Sequence, residues 1–193
     1  MFETRVLRAA DYVVMPWKNG GGSTVEIWRA SLEPGDSASY DMRVSRAEVP
    51  GPGPFSRFQG YDRILIQLAG PSMTLTHEGR TGATLEPLVP YCFSSDWDTD
   101  CQCTGATTDL NIFARREVVS AAAACFTLGP GENREFDLSG RVSVVYLVTG
   151  SITINSGETH GVNQGETWVS GSRRASVSAA GTSATGVVVR FFY

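Results

Sequence analysis

Short segments in which apolar and polar residues alternate follow one another along almost the whole chain, separated by Gly, Pro, Asn and Ser. Successive side chains of a β-strand point to opposite faces of a sheet, so a period of two predicts strands, and the punctuation predicts tight turns. Clear examples are STVEIWRA (23–30), YDMRVSRAEV (40–49), RILIQLAG (63–70), DLNIFARRE (109–117) and GVVVRFFY (186–193). The sequence therefore predicts an all-β protein, and only REVVSAAAACF (116–126) is compatible with a helix.

Two parts of the chain repeat one pattern. Residues 64–75 (ILIQLAGPSMTL) and 144–154 (VVYLVTGSITI) both contain an apolar strand, a glycine turn and a second apolar strand. We expect two related β modules joined near 117–130, each closed as a jelly-roll barrel because this architecture hides strand edges. Residues 1–116 are assigned to the first barrel and 117–193 to the second, and terminal strands could be exchanged between them.

Length, charge and cysteine content bound the class of protein. The 193 residues are enough for a real core, and the net charge of -4 without a basic run argues against a nucleic-acid partner. There is neither a signal-peptide core nor a long apolar segment, so we expect no membrane partner and a cytoplasmic location. The four cysteines lack the density of a secreted disulfide scaffold, and packing is their expected role.

The stretch PWKNGGGSTVEIW (16–28) places Trp17, Lys18 and Asn19 beside three successive glycines. Glycine loses much backbone entropy on folding, so the triplet weakens the fold unless close approach or unusual dihedrals are needed there. Two interpretations stay open. In one, Trp17 forms a wall and backbone N–H groups approach an anionic ligand, with Lys18 and Asn19 as further donors. In the other, the glycines form a bulge at a barrel rim and Trp17 plugs the core.

Polar side chains recur on one face of three predicted strands. They are Thr24, Glu26 and Trp28 in the first, Asp41, Arg43 and Ser45 in the second, and Asp109 and Asn111 in the third. These faces either line a barrel interior, where they would form a cavity with both charge signs, or face water. The terminal strand of the second module is mostly apolar, and this asymmetry favours one functional and one structural barrel.

Familiar metal ligands and nucleophiles are scarce in the sequence. His77 and His160 lie in two predicted hairpin tips, no HxH occurs, and Cys101 with Cys103 makes a weak zinc site because no further CxxC or histidine is near. No GxSxG or GxxxxGK[ST] motif is present. We expect solvated histidines, no metal and no cofactor.

Three motifs in order resemble the HutD/Ves family of bicupins. They are PWKNGGGSTVEIW, GPGPFSRFQGYDR (51–63) and DLNIFARR (109–116). The resemblance spans essentially the whole chain. It implies two cupin barrels in a cytoplasmic bacterial protein and an association with histidine utilisation, for which formiminoglutamate has been proposed as a ligand. Many cupins hold a divalent metal with an HxH pair, which this chain lacks.

The resemblance falls on residues that packing alone would mostly not require. They are Trp17, Lys18, Asn19, Glu26, Arg43, Phe55, Arg57, Arg63, Asp109, Asn111 and Arg115. Together with the polar strand faces they favour a ligand cavity in the first barrel. Arg43, Arg57 and Arg63 are expected to bind carboxylates, because the planar guanidinium matches a carboxylate bidentately. Alternatively, Arg57 and Arg63 only pin the GPGPF loop to the rim.

Three interpretations of function follow. The first is a non-enzymatic bicupin that binds a small carboxylate-bearing metabolite, formiminoglutamate or a neighbour in histidine breakdown, and limits or senses its level. Glu26 and Asp109 would then meet the cationic formimino end. The second is a metal-free enzyme with Glu26 or Asp109 as general base and Lys18 or an arginine stabilising an oxyanion. The third is a regulatory partner protein with a vestigial pocket, and a homodimer is left open.

Overall fold

The computed structural model divides the chain into two units, Val13–Ser120 and Met1–Tyr12 with Ala121–Tyr193. The structure describes residues 2–17, 22–33 and 39–193. The second boundary lies near the expected junction at 116/117. The first twelve residues lie in the C-terminal unit, because strand Arg5–Leu7 pairs antiparallel with strand Thr167–Ser170.

The N-terminal unit consists of a six-stranded and a four-stranded antiparallel sheet. Its strands are β2 (Val13–Pro16), β3 (Ser23–Ala30), β4 (Met42–Val49), β5 (Gly53–Pro54), β6 (Tyr61–Ala69), β7 (Met73–His77), β8 (Arg80–Thr84), β9 (Tyr91–Ser94), β10 (Thr99–Cys103) and β11 (Thr107–Arg115). The sheet orders are β2-β3-β4-β11-β6-β9 and β5-β10-β7-β8. Leu65 of the larger sheet and Met73, Leu75 and Cys101 of the smaller one share an apolar core cluster, so the two sheets pack face to face.

The C-terminal unit has the same two-sheet construction. Its strands are β1 (Arg5–Leu7), β12 (Ser120–Leu128), β13 (Asn133–Asp137), β14 (Val142–Thr149), β15 (Ser151–Asn155), β16 (Thr159–Asn163), β17 (Thr167–Ser170), β18 (Arg174–Ala179) and β19 (Ala184–Phe192). The sheet orders are β1-β17-β14-β19-β12 and β13-β18-β15-β16. Leu147, Ile152, Trp168 and Val177 belong to one buried apolar cluster, which fills the space between the sheets.

The strand order repeats between the units. β6 lies between β11 and β9, and β14 lies between β19 and β17, so the two strands predicted to correspond occupy equivalent places. The turns that follow them contain Gly70 and Gly150, whose φ angles are 97° and 81°. A Cβ on Gly70 would lie 2.5 Å from the carbonyl oxygen of Ala106, and one on Gly150 would lie 2.5 Å from that of Ser183. The chain therefore forms two jelly-roll barrels that use the same glycine turn.

Helical structure in the described part of the chain is confined to one 3-10 turn, Ala9–Asp11. The described residues therefore contain no helix that is long and apolar enough to cross a membrane. The helix-compatible stretch 116–126 instead leads into β12, an edge strand beside β19. Phe126 and Leu128, two residues apart, both enter the core cluster. The small helix preference of alanine, below about 1 kcal/mol per residue, is overridden by this pairing and burial.

Candidate functional site

The polar strand faces of the N-terminal unit form a connected patch on three neighbouring strands. Phe113 of β11 pairs with Arg43 of β4 on one side and with Arg63 of β6 on the other. Asn111 and Asp109 follow on β11 at intervals of two residues. Cross-strand partners and residues two apart project from the same face of a sheet. All five side chains are buried. Leu65, two residues after Arg63 on β6, belongs to the core cluster between the two sheets, so this face points into the barrel.

A cavity of about 970 Å³ opens onto this patch. Its polar lining includes Thr24, Arg43, Ser45, Arg63, Asp109 and Asn111. Its apolar lining includes Trp17, Phe55, Phe58 and Phe113 and the glycine- and proline-rich segment 50–54. Small-molecule sites commonly combine such a size with mostly apolar walls and a few convergent polar groups.

Arg63 is a buried cation within this cavity. Its Nε donates a 2.8 Å hydrogen bond to Asn111 Oδ1, and its Nη2 donates to the same oxygen. The guanidinium also lies over the rings of Phe55 and Phe113, with Cζ 4.7 Å and 5.1 Å from their centroids. Burial lowers the pKa of Arg63 to about 10, although Asp109 opposes the shift. The side chain therefore remains charged at neutral pH.

Asp109 is connected to Arg63 through Asn111. The Nδ2 of Asn111 donates to Asp109 Oδ1, while Asp109 Oδ2 is buried and makes no hydrogen bond with any described group of the protein. Burial raises the pKa of this carboxyl to about 6, and the nearby Arg63 charge and the Asn111 hydrogen bond oppose the rise. Unpaired buried oxygens are uncommon in proteins. One carboxylate oxygen of Asp109 is thus free to accept a hydrogen bond from a ligand.

Arg43 differs from Arg63 because it has a carboxylate in direct contact. Its Nε donates to Glu26 Oε2 at 2.8 Å, and the other Glu26 oxygen lies 3.3 Å from Arg29 Nε. Glu26 is therefore shared between two arginines and is not available as a free base. Arg63 has no direct bond to a carboxylate among the described residues, because Asn111 lies between it and Asp109. Arg63 is therefore better placed than Arg43 to bind an anionic ligand.

The structure brings together six of the predicted site residues around the cavity. They are Trp17, Arg43, Phe55, Arg63, Asp109 and Asn111. Glu26 holds Arg43 from beside the cavity. Lys18 and Asn19 lie outside the described residues.

Arg57 and Arg115 are not among the residues that line the cavity, so the cavity brings together two of the three arginines expected to bind carboxylates. Arg57 projects from an exposed loop and pairs with Asp98 at 3.0 Å, with both side chains about half exposed. Arg115 is the last residue of β11. Its Nε forms an ion pair with Asp41 Oδ1 at 3.1 Å. Local carboxylates outside the cavity thus satisfy both side chains.

Trp17 and its glycine neighbour explain part of the motif at 16–28. The indole Nε1 of Trp17 donates to Thr24 Oγ1 at 2.9 Å. A Cβ on Gly22 would lie 2.9 Å from the indole ring and 2.6 Å from the carbonyl oxygen of Glu48. Glycine at position 22 is therefore required for the ring to reach the cavity wall.

Several aromatic residues of the site were not singled out from the sequence. Phe113 lies between the two arginines, and Phe93 lies 5.4 Å from Arg63 Cζ. Tyr40 lies 5.6 Å from Arg43 Cζ. Phe113 shares the two-residue period of Asp109 and Asn111, so the alternation could have identified it. No sequence pattern identifies Phe93 or Tyr40, because their contacts with Arg63 and Arg43 depend on how distant segments of the chain pack.

The expectation of a solvated His77 is wrong. His77 is the last residue of β7 and is buried, with Nδ1 bonded to Thr99 Oγ1 and Nε2 to Tyr91 Oη, both at 2.9 Å. Its ring also stacks on that of Tyr91, and burial lowers its pKa. The strand continues further than the hairpin signal indicated, so the ring enters the core.

The cavity does not fit the divalent metal that many cupins hold. Among the described residues, its charged lining consists of two arginines and one aspartate, and the arginines would repel a cation. In the described ranges no group of three or more His, Cys, Asp or Glu side chains is arranged to hold a metal ion. The two arginines make this lining better suited to an anion than to a cation.

Asp109 is expected to give the protein a distinctive dependence of stability on pH. Its pKa is about 6 in the fold and about 3.9 in an unfolded chain. Because the folded state binds this proton more tightly, the stabilisation is complete below about pH 4 and is lost as the pH rises through about 6. The shift corresponds to about 3 kcal/mol.

The test compares the unfolding free energies of the wild type and Asp109→Asn from pH 4 to pH 7 in urea. Relative to the variant, the wild type should lose up to about 3 kcal/mol across this range. Other carboxyl groups titrate in both proteins, so the difference isolates Asp109. A constant difference would show that the Asp109 pKa is not raised.

The two-sheet barrels identify the class of protein to which the fold belongs. The cupin 2 conserved barrel domain protein from Leptotrichia buccalis matches with a TM-score of 0.53 and 11% identity, over 86% of this chain and 88% of that one. The likeness at this identity shows a cupin fold, and the two barrels make the chain a bicupin.

The chain belongs to the HutD family, whose profile matches residues 9–186. It is 29% identical to PA5104 from Pseudomonas aeruginosa PAO1, a conserved protein of unknown function, with a TM-score of 0.86 and full coverage of both chains. It is 28% identical to HutD from Pseudomonas fluorescens SBW25, solved in a formate condition, with a TM-score of 0.78 and 98% coverage of both.

A curated relative from Pseudomonas putida, described as an uncharacterized 21.2 kDa protein in the hutC 3′ region, is 41% identical over 113 residues. This match spans 58% of each chain.

Proposed function

We propose that this bicupin binds a small carboxylate-bearing metabolite in its N-terminal barrel and limits or senses its level. The candidate is formiminoglutamate or a related intermediate of histidine degradation, which the HutD family and the hutC-region relative support. The observation that carries the proposal is Arg63, a buried cation that lines a cavity and bonds directly to a neutral amide.

The donors of Arg63 support carboxylate binding. A guanidinium has five N–H donors in a rigid fork, and Asn111 takes one from Nε and one from Nη2. The remaining donors can hold a carboxylate, and a second negative charge would offset the burial of the cation. Asn111 fixes the orientation of the fork before the ligand arrives, which reduces the ordering cost of binding.

The rest of the cavity suits a short, partly aliphatic metabolite. Trp17, Phe55 and Phe113 offer apolar surface for methylene groups. Arg43 lies across Phe113 from Arg63. Glu26 already offsets its charge through Nε, so it would hold a second carboxylate less strongly than Arg63 holds the first. Formiminoglutamate has two carboxylates, a short aliphatic chain and a nitrogen-bearing end, and each has a counterpart here.

A thermal-shift screen with histidine, urocanate, formiminoglutamate and glutamate tests the proposal. A ligand at a hundred times its dissociation constant stabilises the native state by about 2.7 kcal/mol. The metabolite that the cavity binds, with formiminoglutamate as the candidate, should therefore raise the melting temperature by several degrees. Urocanate, which is planar and has one carboxylate, should have a smaller effect. No shift with any of the four at millimolar concentration would contradict metabolite binding.

A metal-free enzyme is the second candidate, and Asp109 is the observation that favours it. A buried carboxyl that lines the cavity, has a pKa of about 6 and has one oxygen without a hydrogen-bond partner has the properties of a general acid or base near neutral pH. Glu26 is less suited because both of its oxygens are engaged by arginines. Proton NMR of formiminoglutamate incubated with the protein separates the candidates, since an enzyme consumes the ligand and a binding protein does not.

A further inference from the structure

Asp109 occupies a position from which it can select among carboxylate ligands. It lines the same cavity as Arg63 and is separated from it by a single residue, Asn111. The Asn111 amide is fully oriented, because its oxygen accepts from Arg63 and its nitrogen donates to Asp109 Oδ1. This fixed amide leaves Oδ2 as the free oxygen of the carboxylate.

From this arrangement we propose that Asp109 is a specificity-determining residue, whose Oδ2 makes the cavity select carboxylates that also carry an N–H donor. The inference rests on the proposed function, because it takes Arg63 as the carboxylate anchor. While a carboxylate is ionised, its oxygens accept hydrogen bonds and cannot donate them. A ligand with an N–H group near Arg63 supplies the missing partner, whereas a ligand with a methylene there leaves Oδ2 unpaired.

The expected selectivity is large because the acceptor is charged and buried. A hydrogen bond to a charged partner in a protein, lost while the other group stays buried, changes affinity by about tenfold or more. Amide, amine and amidine nitrogens all qualify as donors. The cavity should therefore discriminate between two ligands of equal size and charge that differ only in one N–H.

The selectivity should weaken in acid as Asp109 takes up a proton. The charged or titratable groups that interact with Asp109 are Arg63 of β6 and Cys101 of β10, and Arg43 of β4 lines the same cavity. Arginines keep their charge over this range, and burial raises the pKa of Cys101 to about 12. Between pH 5 and pH 8, the group on these strands that changes charge next to the ligand is therefore Asp109 itself.

N-acetylglycine and levulinate provide a matched pair of probes, since they differ only by NH in place of CH₂. Calorimetric titration of the wild type at pH 7.5 should give an affinity for N-acetylglycine at least about tenfold above that for levulinate. The ratio should fall toward one at pH 5. Equal affinities at pH 7.5, with both probes binding, would overturn the inference and leave the proposed function standing.

Asp109→Asn provides the decisive variant. An asparagine can keep the acceptor for Asn111 through its oxygen while its NH₂ replaces Oδ2, so a free acceptor becomes a donor. The preference for N-acetylglycine should vanish or reverse in the variant, and its melting curve checks that it folds. A preference that persists in a folded Asp109→Asn variant would overturn the inference. If neither probe binds the wild type at tens of millimolar, the inference is contradicted, whereas the proposed function is decided by the thermal-shift screen of the four metabolites.

Discussion

Replacing Arg63 with methionine is expected to lower the affinity for formiminoglutamate by about 30-fold or more. Loss of one partner of a buried, hydrogen-bonded charge pair typically costs about 2 to 5 kcal/mol of binding. Methionine keeps the packing against Phe55 and Phe113 but removes the guanidinium donors. Asp109 would also lose its cationic neighbour, which disfavours an anionic ligand further. Calorimetric titration of the wild type and variant measures the difference.

Arg57→Met is the matched control for this experiment. Arg57 makes an exposed ion pair with Asp98, and such pairs contribute about 0 to 1 kcal/mol to stability. The control variant should bind formiminoglutamate as the wild type does and melt within a few degrees of it. Unchanged affinity in Arg63→Met, or an equal loss in Arg57→Met, would contradict the assignment of Arg63 as the anchor.

Alanine at Gly70 or Gly150 is expected to destabilise its barrel strongly. Both glycines have positive φ, and a Cβ at either position would lie 2.5 Å from a backbone carbonyl oxygen. The left-handed conformation alone costs an alanine about 1 to 2 kcal/mol, and relief of the clash must move backbone, so we expect a total of at least about 3 kcal/mol. Denaturant unfolding of each variant gives the value.

Gly79→Ala separates the two contributions. Gly79 has a φ of 66°, and no atom lies within 4 Å of the Cβ that alanine would add. Its substitution should therefore cost only the conformational term of about 1 to 2 kcal/mol. If Gly70→Ala and Gly79→Ala lose the same stability, the close approach at the repeated turn is not a determinant of the fold.

The sequence predicts the architecture because the two patterns that indicate it, the alternation and the internal repeat, are local. Alternation predicted the strands, and the repeat of ILIQLAGPSMTL in VVYLVTGSITI predicted two equivalent modules, which the sheet orders confirm. Two features that alternation does not determine depend on long-range pairing. The first strand joins the C-terminal unit through β17, and alanine-rich β12 is a strand because β19 pairs with it.

The site was accessible to the extent that strand faces determine it. Arg43, Asp109 and Asn111 lie inside the barrel because alternation places them on the face opposite their apolar neighbours. The different environments of Arg57 and Arg63 could not be read from the sequence, because an exposed loop directs one toward Asp98 while β6 directs the other inward. His77 was misassigned for a related reason, since its burial depends on Tyr91 and Thr99 from other strands.

We propose that the N-terminal barrel is a carboxylate-binding site anchored by Arg63. A crystal structure of the protein grown with saturating formiminoglutamate tests it most directly. We expect the ligand inside the N-terminal cavity, with a carboxylate on the free guanidinium donors of Arg63 and a nitrogen within hydrogen-bonding distance of Asp109 Oδ2. A ligand bound outside this cavity, or inside it without contact to Arg63, would contradict the assignment of Arg63 as the carboxylate anchor.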